Sequence, residues 1–172
     1  MGIPDITYRI RGLLLACLVL LVQPLALATD FRQLDDLSPA SPEDYRTPGQ
    51  WLVVVMWASD CPVCNLEAHA YQDFHFAHSD HDASVLGVFL DGSARIEEAR
   101  AFVRRHGVEY PNLIGEPALV AEFYMAEAAT PWVGTPSFLV YGPEGDLAAK
   151  QAGAVPMEII ERFIASRSGR SI

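Results

Sequence analysis

Two cysteines, Cys61 and Cys64, are separated by two residues and follow an apolar run from Trp51 to Trp57. Such a run predicts a buried strand, and Pro62 suits the first position of a helix, where its missing N–H costs nothing. Cys61 would then stand near the helix N-cap, where unpaired N–H groups and the helix dipole favour a thiolate. Cys64 would lie one turn further on the same face, at a separation that a disulfide can span. The pair therefore predicts disulfide exchange.

The order of the two cysteines predicts their roles. We expect Cys61, the more exposed sulfur, to be the nucleophile and Cys64, set deeper, to resolve the mixed disulfide. Three neighbours are predicted to tune the redox chemistry: Asp60, Pro62 and Val63. A carboxylate at Asp60 would raise the pKa of the Cys61 thiol and make the pair more reducing, although it could instead cap the helix.

Residues 1–28 have the charged start, apolar stretch and small-residue end of a secretory signal. This predicts a periplasmic or otherwise extracytoplasmic protein, anchored to the membrane if the segment stays uncleaved; a lipoprotein cleavage box at Cys17 is a fainter alternative. Without residues 1–28 the chain keeps only the C-x-x-C pair. A disulfide that closes so short a loop adds little stability, and a zinc site would need two further ligands. We therefore expect a catalytic pair of cysteines without metal or cofactor.

The formal net charge of the 172 residues is −10. An acidic chain of this kind is a poor partner for nucleic acid or an anionic membrane surface. The charge does not identify a partner. The cysteine chemistry does predict one class of partner, protein thiols and disulfides, and we expect the protein to act on them as a monomer.

The pattern of apolar residues and turn signals predicts alternating strands and helices. We expect strands at 51–57, 84–90, 112–114, 137–141 and 147–151, and helices at 62–78, 96–106, 118–124 and 155–166. This order gives one α/β domain over 50–166, with a central mixed sheet flanked by helices on both faces. An irregular lead-in (29–49) would precede the domain and a flexible tail (167–172) would follow it.

Two motifs and one glutamate carry a family resemblance. They are Trp57-Ala58-Ser59-Asp60-Cys61-Pro62-Val63-Cys64, then Glu67, and then Gly134-Thr135-Pro136-Ser137-Phe138-Leu139-Val140. Over roughly 50–166, the chain resembles the thioredoxin-like superfamily, and within it the exported TlpA/ResA-type thiol-disulfide oxidoreductases. The resemblance implies a thioredoxin-like fold and re-reduction by a membrane electron donor. Such proteins often serve cytochrome c maturation.

The resemblance also implies roles for single residues. An acid at the place of Glu67 helps to handle the proton of Cys64, although Glu67 could simply be a solvated helix residue stabilised by the dipole. Pro136 would follow a cis peptide bond, and Thr135 would pair its backbone with a bound peptide; an ordinary trans proline is the alternative. Trp132 lies outside the family pattern, in an extra segment near this loop; from its residue type alone, it would offer a substrate an apolar contact or pack as satellite core.

The chain departs from the family pattern at several places. Asp60 replaces a bulky residue, Asn65 a basic one and His69 a proline. The buried acid that thioredoxins place near the position of Val55 is missing, and residues 125–133 form an extra segment. These departures lie where the family sets its choice of partner and its redox potential.

Two other functions fit the same residues less well. A periplasmic copper-binding or metallochaperone module could use the cysteines with a histidine, but such proteins typically have three residues between their cysteines. His75, His78 and His81 fall at the far end of the first helix, where we expect solvated side chains. A peroxidase of peroxiredoxin type would normally carry a threonine where Ala58 stands.

Overall fold

A six-stranded sheet organises the chain, of which the computed structural model describes residues 30–169. The strands are β1 (Arg32–Gln33), β2 (Trp51–Trp57), β3 (Ala83–Phe89), β4 (Asn112–Ile114), β5 (Ser137–Tyr141) and β6 (Leu147–Ala152). The α-helices are α1 (Pro62–His78), α2 (Ile96–His106), α3 (Pro117–Ala128) and α4 (Met157–Arg167), and 3-10 helices cover Pro42–Tyr45 and Ser93–Arg95. The predicted signal at 1–28 lies outside the described residues.

The sheet is mixed, with the order β1-β4-β3-β2-β5-β6. Strands β2, β3 and β4 are parallel, whereas β5 runs antiparallel to β2, β6 to β5 and β1 to β4. One face packs against α1, α2 and α4, and the other packs against α3. The predicted mixed sheet with helices on both faces is therefore confirmed.

Strand β2 lies at the centre and is buried along its whole length. Its alternate side chains enter different cores: Val53, Val55 and Trp57 face α1, while Val54 and Met56 face α3. Continuous hydrophobicity is what a strand covered on both faces requires. Because β2 ends at Trp57, it delivers the following turn, and with it Cys61, to one edge of the domain.

The structure differs from the sequence prediction in two segments. The lead-in at 29–49 was expected to be irregular, but β1 and the 3-10 helix lie within it, and Phe31 and Leu34 are buried. Helix α3 was expected to end near Tyr124, but it continues to Ala128 because good helix formers follow, and it ends where Ala129 adopts a left-handed conformation. Within residues 30–169, no helix combines the length and hydropathy needed to cross a bilayer.

Candidate active site

Cys61 and Cys64 form a disulfide at the start of α1, with their Cα atoms 5.2 Å apart. Cys61 is the N-cap residue, as predicted, and its sulfur accepts a hydrogen bond from the Cys64 backbone N–H at 3.1 Å. The exposed fraction is 9% for Cys61 and 0% for Cys64. An incoming sulfur can therefore approach Cys61 but not Cys64, and the roles of nucleophile and resolving thiol stay predictions.

The loop before β5 faces this disulfide. The Thr135–Pro136 peptide bond is cis, and the Thr135 carbonyl oxygen lies 3.8 Å from the Cys61 sulfur. Ser137, which begins the strand, donates a hydrogen bond to the Gly134 carbonyl at 2.6 Å and so closes the loop on itself. Pro136 is buried and Thr135 is partly exposed, so the loop leaves backbone accessible beside the sulfur.

A buried carboxylate holds the turn that precedes the cysteines. The Asp91 side chain, which is 0% exposed, accepts hydrogen bonds from the Ser59 backbone N–H at 2.9 Å and from the Ser59 hydroxyl. Asp91 comes two residues after the end of β3, which is the parallel neighbour of β2. The ends of two adjacent strands are therefore tied together beside Cys61.

Arg95 connects this buried carboxylate to the exposed one at Asp60. Its guanidinium lies 2.7 Å from Asp60 and 3.6 Å from Asp91, and it donates to the Ser59 hydroxyl at 3.1 Å. Asp60 thus pairs with an arginine, and the cap of α1 is supplied by Cys61 instead of by Asp60. Pro62 and Val63 occupy the first positions of α1 and remain exposed.

Glu67 lies on α1 one turn beyond Cys64 and is partly buried. Its carboxylate accepts a hydrogen bond from the hydroxyl of Tyr71, one turn further along the helix. Burial first, and the neighbouring Glu67 carboxylate second, raise the pKa of Tyr71 well above its ordinary value of 10. Tyr71 therefore stays protonated and acts as a donor to Glu67 at any ordinary pH.

Asn65 gives the active-site turn a second brace. Its amide nitrogen donates to the Cys61 carbonyl at 2.8 Å and to the Ser59 carbonyl at 3.2 Å. Its amide oxygen accepts from His106 at 2.9 Å, at the end of α2, and the His106 ring packs edge-on against His69. Two departures from the family pattern, Asn65 and His69, are therefore linked through His106 in one contact between α1 and α2.

Trp57, four residues before Cys61, packs beneath the cysteine pair. Its side chain is fully buried, and its ring contacts four other aromatic rings. These rings belong to Tyr71, Phe89, Phe102 and Tyr110. The cluster joins β2 and β3 to α1 and α2, so the strand end that leads to the cysteines rests on a large apolar contact.

Trp132 lies in the extra segment, of which residues 125–128 complete α3 and residues 129–133 lead to the cis-proline loop. The ring of Trp132 packs edge-on against Tyr124, with centroids 5.3 Å apart, and joins the core on the α3 side of the sheet. The neighbouring Val133 is 72% exposed. The apolar side chain that this segment offers to solvent next to the loop is therefore Val133, and the predicted substrate contact of Trp132 stays a prediction.

The histidines at the end of α1 make separate contacts. His75 accepts from the Val85 backbone N–H at 3.1 Å, His78 lies 3.0 Å from an Asp82 carboxylate oxygen, and His81 is exposed. Residues 30–169 contain no group of three or more His, Cys, Asp or Glu side chains placed to hold a metal ion.

Sequence reasoning missed Asp91, Arg95 and Tyr71. Asp91 and Arg95 fall between the strand predicted at 84–90 and the helix predicted at 96–106, a segment to which the sequence analysis gave no function. A signal for Asp91 did exist, because an acid directly after a buried parallel strand falls at the edge where β2 delivers the cysteines. Tyr71 lies four residues after Glu67, a spacing at which helical side chains meet.

Structures of known proteins support this description of the fold. A thioredoxin-related protein from Neisseria meningitidis serogroup B is similar with a TM-score of 0.68 and 20% identity, covering 82% of this chain and 100% of that one. A DsbF homologue from Corynebacterium diphtheriae has a TM-score of 0.65 and 24% identity, covering 79% and 82%. A secreted Mycobacterium tuberculosis disulfide oxidoreductase homologous to E. coli DsbE has a TM-score of 0.62 and 19% identity, covering 80% and 94%.

These likenesses confirm the predicted thioredoxin-like fold. Among the curated proteins, none is similar enough in sequence to count as a match. The sequence model of the AhpC/TSA family, in contrast, matches residues 26–150, which include both cysteines and the cis-proline loop. The chain, which carries a C-x-x-C disulfide on a thioredoxin-like fold, belongs to the AhpC/TSA family.

Proposed function

We propose that the protein is an exported thiol-disulfide oxidoreductase that reduces disulfides in protein substrates. The observation that carries the proposal is the Cys61–Cys64 disulfide at the start of α1, in which one sulfur is accessible and the other is buried. A purely structural bridge would gain little from a loop of this size. A catalytic pair needs one reachable sulfur and one protected sulfur, which is the arrangement observed.

The reaction has two exchange steps. The Cys61 thiolate attacks one sulfur of the substrate disulfide, the substrate S–S bond breaks, and a mixed disulfide forms as the first substrate thiolate leaves. Cys64 then loses its proton and attacks the Cys61 sulfur, which releases the second substrate thiolate. The substrate gains two electrons and two protons, and the Cys61–Cys64 pair is oxidised to the disulfide.

Glu67 would accept the proton that Cys64 must lose in the second step. It lies three residues after Cys64, so both side chains fall on neighbouring positions of one helix face. Tyr71 donates to the Glu67 carboxylate and limits its orientations. Thr135, whose carbonyl oxygen is 3.8 Å from the Cys61 sulfur, would pair with the backbone of the substrate on the opposite side.

The reductant direction rests on Asp60 and on the resemblance to TlpA/ResA-type proteins. A carboxylate beside Cys61 disfavours the thiolate and hence the reduced form, which makes the pair a stronger reductant. Export by residues 1–28 would place the protein in an oxidising compartment, where a membrane electron donor must reduce it again. The haem-binding cysteines of an apocytochrome c are one such substrate.

A trapping experiment tests this proposal. The Cys64→Ser variant should retain its substrate as a mixed disulfide on Cys61, because the resolving thiol is missing. The matched controls are Cys61→Ser, which should trap little, and the double variant, which should trap nothing. Trapping that is equal in Cys61→Ser and Cys64→Ser, or absent from both, would contradict the proposed order of attack.

Two further assays separate the alternative functions. We expect reduced protein to reduce a disulfide-bonded protein such as insulin, and to consume hydrogen peroxide no faster than the double cysteine variant does. A copper-binding module would instead take up one Cu(I) per chain through its cysteines. Tight Cu(I) binding without disulfide reductase activity would favour that alternative.

A further inference from the structure

Three charged side chains lie together beside the turn that precedes Cys61. Asp60 and Asp91 bring two carboxylates to the turn before Cys61, and Arg95 contacts both of them. The two carboxylates differ in environment, since the Asp60 side chain is 65% exposed whereas that of Asp91 is 0% exposed. In the described part of the chain, no other guanidinium or ammonium group contacts either carboxylate.

Arg95 also fixes geometry. It donates to the Ser59 hydroxyl, which itself donates to Asp91, so the guanidinium and the buried carboxylate hold Ser59 between them. Ser59 lies two residues before Cys61, and its carbonyl is held on the other side by the Asn65 amide. The residues from Ser59 to Cys61 are therefore held by side chains from the segment that links β3 to α2 and from α1.

We infer that Arg95 is a positioning residue that sets the reduction potential of the Cys61–Cys64 pair by neutralising Asp60 and holding the Ser59 turn. This inference rests on the proposed thiol-disulfide exchange. Arg95 neither touches the sulfurs nor transfers a proton. It acts through Asp60 and Ser59, and it makes the chain a milder reductant than the carboxylate at Asp60 alone would give.

The charges around Cys61 determine the direction in which Arg95 shifts the equilibrium between dithiol and disulfide. With Arg95 in place, one of the two negative charges near Cys61 is balanced, and the reduced form can carry a thiolate at the helix N-terminus more readily. Without Arg95, two uncompensated carboxylates oppose the thiolate and raise the pKa of Cys61. The disulfide then becomes more stable relative to the reduced form, because the reduced form has lost stabilisation.

A charge-pair cycle tests the inference. The measurement is the fraction of the Cys61–Cys64 peptide that is alkylated after equilibration of the full chain in graded glutathione buffers, together with a thiolate titration of Cys61. In Arg95→Met we expect the equilibrium to shift roughly three- to tenfold toward the disulfide, a range reduced for the exposure of Asp60. In Asp60→Asn we expect the opposite shift, because the carboxylate next to Cys61 is lost while the Arg95 guanidinium and its contact with Asp91 remain.

The double variant and a matched control complete the cycle. Asp60→Asn combined with Arg95→Met should return most of the way to the wild-type equilibrium, and Arg95→Lys should stay closer to wild type than Arg95→Met does. Arg104→Met removes an exposed arginine of α2 and should change nothing. An unchanged equilibrium in Arg95→Met, or equal shifts of the same sign in Arg95→Met and Asp60→Asn, would overturn the inference.

The test does not depend on Arg95→Met alone, because Asp60→Asn gives a second, independent measurement. If Arg95→Met does not fold, the opposite shift in Asp60→Asn still has to appear. Failure of the inference can also be told from failure of the proposed function. A Cys64→Ser variant that traps substrate while Arg95→Met leaves the equilibrium unchanged removes the role of Arg95 alone, whereas absence of trapping removes the function itself.

Discussion

At the scale of single residues, the site consists of one reachable sulfur and a set of groups that control its charge. The Cys61 sulfur accepts a hydrogen bond from the Cys64 backbone N–H and faces the Thr135 carbonyl. The ion pair between Asp60 and Arg95 lies to one side of this sulfur. Reactivity at Cys61 is therefore a balance between helix-terminal stabilisation, which favours the thiolate, and the Asp60 carboxylate, whose opposition is reduced by its pairing with Arg95.

Tyr71 provides a prediction at this scale. Tyr71→Phe removes the hydroxyl that donates to Glu67 and leaves the aromatic packing against Trp57 intact. We expect resolution of a Cys61 mixed disulfide to slow roughly tenfold, which is the effect of losing a hydrogen bond to a charged group. Release of a model substrate from the preformed mixed disulfide measures this step.

The control for Tyr71→Phe is the double variant with Glu67→Gln, which changes the hydrogen-bond partner of Tyr71. In Glu67→Gln the same step should be slow already, so adding Tyr71→Phe should cost little more if the two residues act as a unit. Independent, additive losses in the double variant would show that Tyr71 does not act through Glu67.

At the scale of the elements, the strength of each local signal decided what the sequence predicted. Strand β2 and helix α1 were predicted with the observed bounds because an all-apolar run and an N-terminal proline are strong signals. Strand β1 has two residues and exists only because it pairs with β4, so nothing local marks it. Arg95 was missed for the same reason, since its partners come together only in the folded chain.

The cis-proline loop gives a prediction about an element. Pro136→Ala should slow the reduction of a protein disulfide several-fold, because the loop would no longer present the Thr135 backbone at the same place beside Cys61. Reaction with a small disulfide, which needs little backbone pairing, should change less. The insulin assay and a small aromatic disulfide make this comparison, and an equal loss with both substrates would contradict a role in peptide binding.

The contact between α1 and β3 predicts a pH dependence of stability. Burial lowers the pKa of His75 below its ordinary value of 6.5, and its ring accepts from the Val85 N–H, so the folded protein favours the neutral ring. Below pH 6.5 the unfolded chain binds a proton before the folded chain does. The free energy of unfolding should therefore fall as the pH drops from about 6.5 through the lower folded pKa.

Urea unfolding at several pH values between 7 and 5 measures this effect. In His75→Gln the decline over that range should be shallower than in wild type. His81→Gln changes an exposed histidine of the same region and should leave the decline as it is. A decline with the same slope in His75→Gln and wild type would contradict the assignment to His75.

At the scale of the whole molecule, the fold places the cysteine pair at one edge of the domain, where strand β2 ends. The sheet order brings β2 between β3 and β5, so the Asp91 segment and the cis-proline loop lie on opposite sides of the cysteines. The resemblance to thioredoxin-like proteins predicted the mixed sheet and the cis-proline loop, but not the place of the Asp91 segment. The partners of Asp60 could not be predicted, because they depend on contacts between segments about 35 residues apart.

The reductant direction makes a prediction about global stability. A pair that gives up electrons readily has a stable disulfide, so the oxidised protein should unfold at a higher urea concentration than the reduced protein. The comparison needs one preparation, with and without prior reduction. A reduced form that is the more stable of the two would indicate an oxidant and would reverse the proposed direction of electron flow.

The most direct test is the thiol state of Cys61 and Cys64 across a glutathione series that runs from fully reducing to fully oxidising. Alkylation and mass spectrometry of the peptide that holds both residues report each cysteine separately from Cys17. If the pair is a reducing thiol-disulfide centre, both thiols should disappear together in one transition, with a midpoint potential more negative than that of glutathione itself. A pair that stays oxidised or stays reduced over the whole series would contradict this assignment.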